Sequence, residues 1–385
     1  MTETQGDAES KGRCPPATRV GRYPRSIMPP IIGHQKAIQT IQSALESGRM
    51  HHAWILSGPQ GVGKCTLACE MARILLDPQA VAGDFGQGES ALMSSDGQLL
   101  ASGTHPDLHI VRKEDAEHSK NRMLRTRKQA NVPLDLLRER VIGGTSADGS
   151  NHAAPAYRTS MHGQGKVFIL DEAELIDMNG QNALLKTLEE PPEKTWLILV
   201  TSRPERLLQT VRSRCDHVRL GPLTDIEMRE WVNAELPDTP DVEWLMDWAE
   251  GSPGMAVRAE ETALRDCALQ LEPIFKDLDA GRWRETFASE IASFISDWAD
   301  QAVKANKNAS KDVANKQASS LILRLVAKHL RGQLAMIPSG QTEQGRRVWE
   351  LANRLAEAED QIHRGGNLKQ VLEGLGAGWS QLCRN

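Results

Sequence analysis

The stretch KVFILDEAELIDMNGQNALLKTLEEPPEKTWLILVTS, residues 166–202, decides the fold of this chain. It opens with a short apolar run that closes on two acids, which is typical of a buried strand with carboxylates at its C-terminal end. Residues 181–192 place three leucines on one helix face and end in two prolines, and they predict a helix followed by a second buried strand at 196–201. Chemistry in an open parallel sheet collects where strands end, so we expect the polar residues after both strands to meet at one edge. These residues are Asp171, Glu172, Thr201 and Ser202.

A second motif lies upstream, where the strand-like run HHAWILS at 51–57 leads into GPQGVGKCT at 58–66 and an apolar helix at 67–76. This order of strand, glycine-rich loop, lysine and helix binds phosphate: backbone N–H groups and the helix N-terminus face an anion, and the lysine reaches the terminal phosphates. Together with the sheet edge, the loop predicts a nucleotide site. Its residues are Gly58, Gly61, Gly63, Lys64, Cys65, Thr66, Asp171 and Thr201.

Cys65 departs from the usual pattern, in which a hydroxyl residue that binds magnesium follows the lysine. A neutral thiol is a poor ligand for a hard cation that prefers oxygen, and Thr66 points about 100° further around the helix. A small buried thiol without a ligand role is the alternative interpretation. We expect the site to accept ATP but to hydrolyse it weakly or not at all. If only this ligand is missing, Cys65→Thr is expected to improve binding of magnesium-nucleotide.

Four further segments carry a family resemblance. The segments LLKTLEEPP at 184–192 and RSRC at 212–215 resemble the bacterial clamp-loader branch of the AAA+ ATPases. RPERLL at 203–208 and GSPG at 251–254 are most similar to the delta-prime family of DNA polymerase III subunits within that branch. The resemblance extends from about residue 31 to residue 258, and the rest of the chain agrees with it in length and helical character.

The resemblance implies an α/β fold: an AAA+ P-loop domain with a parallel sheet, then a small helical lid and an all-α C-terminal collar. We place the AAA+ domain at residues 29–221, the lid at 222–270 and the collar, through which such subunits oligomerise, at 271–385. Residues 1–28 are rich in Gly, Pro, Ser and charge, and we expect a flexible tail there. Apolar residues at helical spacing predict helices in the collar. They include Phe287, Ile291, Phe294, Ile295 and Trp298.

The resemblance also implies roles for individual residues. Asp171 matches the acid that acts on magnesium, and Glu172 matches the acid that polarises the attacking water, here weak or vestigial. Thr201 or Ser202 falls at the position that senses the terminal phosphate. Motor subunits carry a sensor arginine where this chain has Gly254, and Arg258 lies one turn too far along to match.

The functional interpretation depends on Arg214, the arginine of the SRC triplet. In clamp loaders the matching arginine reaches across the subunit interface to the ATP of the neighbouring subunit. A guanidinium suits that role because it has a permanent charge and a planar fork of donors that matches phosphate oxygens. The alternative is that Arg214 has only a structural role, at the end of a strand.

These features favour a largely non-motor stator subunit over an ATPase in its own right. Such a subunit assembles with gamma/tau motor subunits and delta and lends Arg214 in trans for ATP-dependent loading of a sliding clamp on primed DNA. The alternative is an active motor-type, gamma/tau-like ATPase or another AAA+ DNA remodeller. A phosphate-loop metabolic kinase would leave the SRC triplet and the helical C-terminal region unexplained.

The net charge of −5 excludes a bulk basic surface, so any contact with DNA is expected to be local. Residues 113–129 form a basic insertion, which is either a loop that faces DNA or a solvent-exposed surface loop. Clamp-loader relatives often carry a four-cysteine zinc module, but residues 77–102 contain no cysteine. His51 and His52 point to opposite faces of a strand and complete no tetrahedral set, so we expect no metal and no zinc.

The six cysteines include no CxxC pair, which suits reduced thiols in a cytosol. Residues 1–12 are polar and acidic, so we expect no signal peptide. No run of about 18 apolar residues occurs, and we expect no membrane contact. The sequence therefore predicts a cytoplasmic protein.

Overall fold

The computed structural model describes most of the chain, in six segments. They are residues 31–48, 50–86, 94–126, 130–305, 310–337 and 342–384. The described residues fall into two compact units, 31–258 and 259–384. The tail expected at residues 1–28 lies outside the described residues.

A five-stranded parallel sheet forms the centre of the first unit. Its strands are β1 (Ala53–Ser57), β2 (Leu108–Val111), β5 (Lys166–Leu170), β6 (Thr195–Thr201) and β7 (Asp216–Arg219), and a separate hairpin pairs β3 (Gly144–Thr145) with β4 (Asn151–His152). The order across the sheet is β2-β5-β6-β1-β7, and every neighbouring pair is parallel. Every residue of β1 and β5 is buried, as expected for strands covered on both faces. The predicted parallel α/β sheet is confirmed.

Helices cover both faces of this sheet. They are α1 (Gln35–Glu46), α2 (Lys64–Leu76), α3 (Ser95–Ala101), α4 (Arg122–Thr126), α5 (Leu134–Leu137), α6 (Met178–Glu189) and α7 (Gln209–Arg212). Three further helices follow β7: α8 (Asp225–Glu235), α9 (Val242–Ala249) and α10 (Pro253–Glu261). Successive strand residues point to opposite faces, so Leu56 joins a core with α1 and α2, whereas Ile55 joins a second core with α5 and α6. The Asp177 side chain caps the start of α6, and Pro191 follows its end.

The second unit is entirely helical among its described residues. Its helices are α11 (Leu264–Asp279), α12 (Phe287–Ala305), α13 (Lys311–Met336), α14 (Thr342–His363) and α15 (Leu368–Arg384). The five apolar residues of α12 that predicted a helix are all buried, which confirms the expected all-α region. Trp379 is fully buried on α15, stacks on Phe275 and donates its indole N–H to Asp279 at 3.0 Å. This bond ties α15 to α11 across the unit.

Within the described parts of the chain, every helix is too short or too polar for a bilayer-spanning segment.

Candidate nucleotide-binding site

A cleft in the first unit collects nearly all of the residues that the motifs predicted. It is lined by the loop before α2, by the residues after β5 and β6, and by side chains of α8 and α10, and its volume is about 540 Å³. Asp171, Glu172, Thr201 and Ser202 all lie on its wall. The parallel pairing of β5 with β6 therefore brings the two strand ends together.

The phosphate-binding loop, residues 58–63, joins β1 to α2. Its glycines Gly61 and Gly63 line the cleft, together with the first three residues of α2, which are Lys64, Cys65 and Thr66. Gly58 does not line the cleft. A Cβ at Gly58 would lie 2.2 Å from the carbonyl oxygen of Leu220, so the close approach of the residue that follows β7 requires glycine there.

Lys64 is buried, and its ammonium group donates hydrogen bonds back to the loop, to the carbonyl oxygens of Gly58 (2.9 Å) and Pro59 (2.7 Å). Burial lowers the pKa of Lys64, and the negative charges of Glu174 and Asp171 partly oppose that shift. A phosphate in the loop would compete with the two carbonyls for this donor. The lysine thus stands where the motif requires it.

The start of α10 packs directly on the phosphate-binding loop. The Gly254 N–H donates to the carbonyl oxygen of Gly61 at 2.8 Å. A Cβ at Gly254 would lie 2.8 Å from Gly61 Cα, closer than two carbons can approach without displacement. Position 254, which carries a sensor arginine in motor subunits, therefore has no room for a side chain in this packing.

Arg112 occupies the space between Cys65 and Asp171. Its Nε donates to an Asp171 carboxylate oxygen at 3.2 Å, and its Nη2 lies 3.6 Å from the Cys65 sulfur. The Arg112 side chain is 45% exposed and that of Asp171 is 23% exposed, so the ion pair lies at the rim of the cleft. The sequence motifs gave no indication of Arg112, because its partners lie 47 and 59 residues away along the chain.

Glu172 has a cationic partner of its own. The buried Lys113 ammonium donates to its carboxylate, and Glu172 itself adopts a left-handed backbone conformation with φ of 50°. Lys113 had been expected to begin a solvated or DNA-facing insertion. It is instead 9% exposed, because it pairs with the acid beside the cleft.

Glu174 and Ser202 join the ends of β5 and β6. The Ser202 N–H and hydroxyl both donate to Glu174, at 3.1 and 2.5 Å. Burial alone would raise the pKa of Glu174, but the hydrogen bonds from Ser202, together with those from the Thr201 side chain and the backbone of Glu174, outweigh it and lower the pKa. The fully buried Thr201 hydroxyl accepts a hydrogen bond from the N–H of Arg203 at 3.1 Å. Ser202 is thus held by a carboxylate and Thr201 by the backbone.

Several cleft residues were not included in the sequence-based site, among them Arg258 and Trp231. Arg258 was set aside because it follows the sensor position by one turn, yet it lines the cleft with the rest of α10. Trp231 also lines the cleft from α8. A turn of helix returns to the same face after about 3.6 residues, so the spacing from Gly254 to Arg258 was the signal for that shared wall.

P-loop nucleoside triphosphatases hold magnesium with the hydroxyl after the lysine and with the acid at the strand end. In this structure those positions hold a thiol and a carboxylate that is already paired with Arg112. Magnesium requires oxygen ligands in near-octahedral geometry, and a sulfur beside a guanidinium does not supply them. The residues present do not fit a magnesium ion.

Arg214 follows α7 by two residues and is not among the cleft-lining residues. Its guanidinium pairs with Glu189 at 2.7 Å and donates to the carbonyl oxygen of Thr210 at 2.8 Å. The side chain remains 35% exposed and that of Glu189 is 50% exposed. An ion pair this exposed contributes about 0–1 kcal/mol, so it does not hold Arg214 firmly in place.

A cluster that the sequence analysis did not anticipate contains Asp96, His105 and His162, whose ligand atoms lie within 4.8 Å of one another. The Nε2 atom of His105 is buried without a hydrogen-bond partner among the described residues, 3.6 Å from Asp96. The Asp107 N–H donates to Nδ1 of the same ring at 3.2 Å, which places the ring proton on Nε2. A ring nitrogen that carries its proton does not bind a cation, so Nε2 of His105 is not available as a metal ligand in this arrangement.

The parallel sheet, the phosphate-binding loop between β1 and α2 and the helices that follow β7 are those of the AAA+ class of P-loop proteins. Comparison with known proteins narrows this class. The family model described as DNA polymerase III, delta subunit, matches residues 33–224. The DNA polymerase III subunit delta' of Pseudomonas aeruginosa is 33% identical over 269 residues, which is 68% of this chain and 73% of that protein. The chain belongs to the delta-prime family of DNA polymerase III clamp-loader subunits.

Two other similarities accompany these. The subunit delta' of Escherichia coli is 31% identical over 221 residues, and the match spans 57% of this chain and 57% of that protein. Among solved structures, a gamma subunit-related protein of DNA polymerase III from Thermotoga maritima covers 90% of this chain at 17% identity, with a TM-score of 0.45.

Proposed function

We propose that this chain is the stator of a bacterial DNA polymerase III clamp loader. In this proposal it assembles in the cytoplasm with gamma/tau motor subunits and a delta subunit, and the assembly uses ATP to place a sliding clamp on primed DNA. The helical second unit serves as the collar. Membership of the delta-prime family supports the assignment to such an assembly.

The position of Arg214 is the observation that carries this proposal. The side chain is outside its own nucleotide cleft, partly exposed, and tied to its own chain by an exposed ion pair with Glu189. Breaking that ion pair costs little, so the guanidinium can exchange Glu189 for phosphate oxygens of a neighbouring subunit. Arg214 therefore acts in trans.

The environment of the two acids supports a passive role for the chain's own site. Both Asp171 and Glu172 are paired with basic side chains, Arg112 and Lys113. An acid that holds magnesium or orients the attacking water must be available to them. We infer that ATP hydrolysis by this chain alone is weak or absent, which disfavours a motor-type ATPase.

The trans role is tested in an assembly reconstituted from this chain and its motor and delta partners. Arg214→Ala is expected to leave assembly intact and to lower ATP hydrolysis, since arginine fingers of other nucleotide hydrolases contribute on the order of 10³ to 10⁵ in rate. Arg212→Ala is the matched control, because it removes the same charge from an exposed position two residues away. Hydrolysis that is unchanged by Arg214→Ala, or equally lowered by both substitutions, would refute the finger assignment.

A further inference from the structure

A basic side chain, Arg112, pairs with two residues of the cleft wall, although it is not itself among the residues that line the cleft. Arg112 contacts both the residue after the phosphate-loop lysine and the acid at the end of β5, through Nη2 and Nε respectively. These are the two protein positions between which P-loop triphosphatases hold magnesium. The guanidinium is thus bonded to both residues that would otherwise be available to the metal ion.

The sheet register makes this placement a fixed feature of the fold. Strands β2 and β5 pair in parallel with Val111 opposite Leu170, and the Asp171 N–H donates to the Val111 carbonyl oxygen at 3.0 Å. The residues that follow the two strands, Arg112 and Asp171, are therefore neighbours across the sheet. Lys113 and Glu172 form the next pair along the same edge.

A guanidinium can perform the part of magnesium that concerns binding. Its charge is permanent, and the contacts with Cys65 and Asp171 use two of its five N–H donors. The charge of Arg112 is further stabilised, because Cys65 and Asp171 together raise its pKa despite partial desolvation. The remaining donors suit phosphate oxygens.

A guanidinium cannot, however, perform the catalytic part. It does not exchange ligands or bind water as a metal ion does, so it holds phosphate without assembling a hydrolytic site. We propose that Arg112 replaces magnesium in this cleft, which binds the polyphosphate of a nucleotide without a divalent cation. This inference concerns the chain's own cleft and does not depend on Arg214.

The proposal is tested by the affinity of the full chain for ATP, measured calorimetrically in EDTA and in excess magnesium chloride. The wild-type chain is expected to bind ATP in EDTA at least as tightly as in magnesium. Arg112→Gln is expected to weaken binding in EDTA by about tenfold or more, the loss of one charge-assisted contact. Arg122→Gln is the matched control, because Arg122 is also exposed but, among the described residues, forms no hydrogen bond with Cys65 or Asp171.

A second pair of variants separates the missing hydroxyl from the guanidinium. Cys65→Thr alone is expected to give no gain from magnesium, because Arg112 still pairs with Asp171. The double variant Cys65→Thr with Arg112→Gln restores two oxygen ligands, and it is expected to bind ATP more tightly in magnesium than in EDTA. Arg112→Lys, which keeps the charge but loses the fork, is expected to fall between the wild type and Arg112→Gln.

Three results would overturn the proposal. The first is wild-type affinity that rises tenfold or more on adding magnesium, about 1.4 kcal/mol. The second is an absence of ATP binding in EDTA. The third is an Arg112→Gln variant that binds ATP as tightly as the wild type. Should that variant fail to fold, Arg112→Lys gives the same decision, because an unchanged affinity would again contradict a role for the fork.

Discussion

At the scale of single residues, Cys65 is set apart from the other described cysteines by its neighbours. A hydrogen bond with Cys69 lowers the pKa of the Cys65 thiol, and the positive charge of Arg112 lowers it further. Cys69 itself is buried, and its pKa is raised by the same hydrogen bond and by burial. Burial raises the pKa of Cys215 to about 12.

The order of these pKa values predicts selective chemistry. At pH 7 to 8, Cys65 is expected to react with iodoacetamide faster than Cys215, because the thiolate is the reactive form and both side chains are partly exposed. Peptide mass spectrometry over a time course measures the two rates. ATP in EDTA is expected to slow labelling of Cys65 alone. Equal rates at both cysteines would contradict the lowered pKa of Cys65.

At the scale of elements, contact between α10 and the phosphate-binding loop depends on two glycines. Gly254 approaches Gly61 so closely that neither position tolerates a Cβ without displacement. The close packing of Gly254 on Gly61 therefore leaves no room for a sensor arginine at position 254, in addition to the loss of the catalytic role of that arginine.

Gly254→Ala tests this contact. Overpacking of this kind typically costs about 1–3 kcal/mol, which outweighs the better helix propensity of alanine. The free energy of unfolding, measured in urea, is expected to fall, and ATP affinity is expected to fall with it. Gly332→Ala in α13 is the control: a Cβ there meets nothing within 4 Å, so the same substitution is expected to stabilise by about 0.5–1 kcal/mol. A stabilising Gly254→Ala would contradict the close approach.

The helices and strands could be predicted from local sequence, whereas the ion pairs between residues of different elements could not. The apolar run of β5, the prolines after α6 and the glycine loop before α2 are local signals, and the structure has a strand or helix at each. The contact of Arg112 with Asp171 requires that β2 lie next to β5, and no local pattern encodes that order. Strand order is a tertiary property, so the two ion pairs at the sheet edge became visible only in the structure.

At the scale of the whole molecule, several histidines make stability depend on pH. Burial lowers the pKa of His52, His105, His109 and His217 below the usual value of about 6.5. The unfolded chain therefore binds more protons than the folded chain once the pH falls below that value. The contribution of these histidines to the free energy of unfolding is therefore fully present above about pH 6.5. It is lost as the pH falls through their lowered pKa values.

The free energy of unfolding is accordingly expected to decrease from pH 7.5 to pH 5.5, as measured by urea titration at each pH. His109→Gln should reduce this dependence, because His109 stacks on Phe168 inside the first unit. His118→Gln, at an exposed position, serves as the control. Stability that is constant or higher at pH 5.5 would show that these histidines are not held neutral by burial.

The two compact units suggest that nucleotide binding and assembly with other subunits belong to different parts of the chain. A chain ended after Glu261 keeps α10 and the nucleotide cleft but lacks α11–α15. It is expected to unfold cooperatively and to bind ATP, yet to be excluded from the assembly with motor and delta subunits in size-exclusion chromatography. Incorporation of the shortened chain into the assembly would contradict the collar role of the second unit.

The most direct test of a stator with an idle site compares two variants of this chain within one reconstituted assembly. Lys64→Ala removes the phosphate-binding lysine of its own cleft, and Arg214→Ala removes the guanidinium proposed to act on a neighbour. The account predicts that steady-state ATP hydrolysis is unchanged by Lys64→Ala and lowered by Arg214→Ala. A rate of ATP hydrolysis that falls with Lys64→Ala and does not change with Arg214→Ala would contradict it.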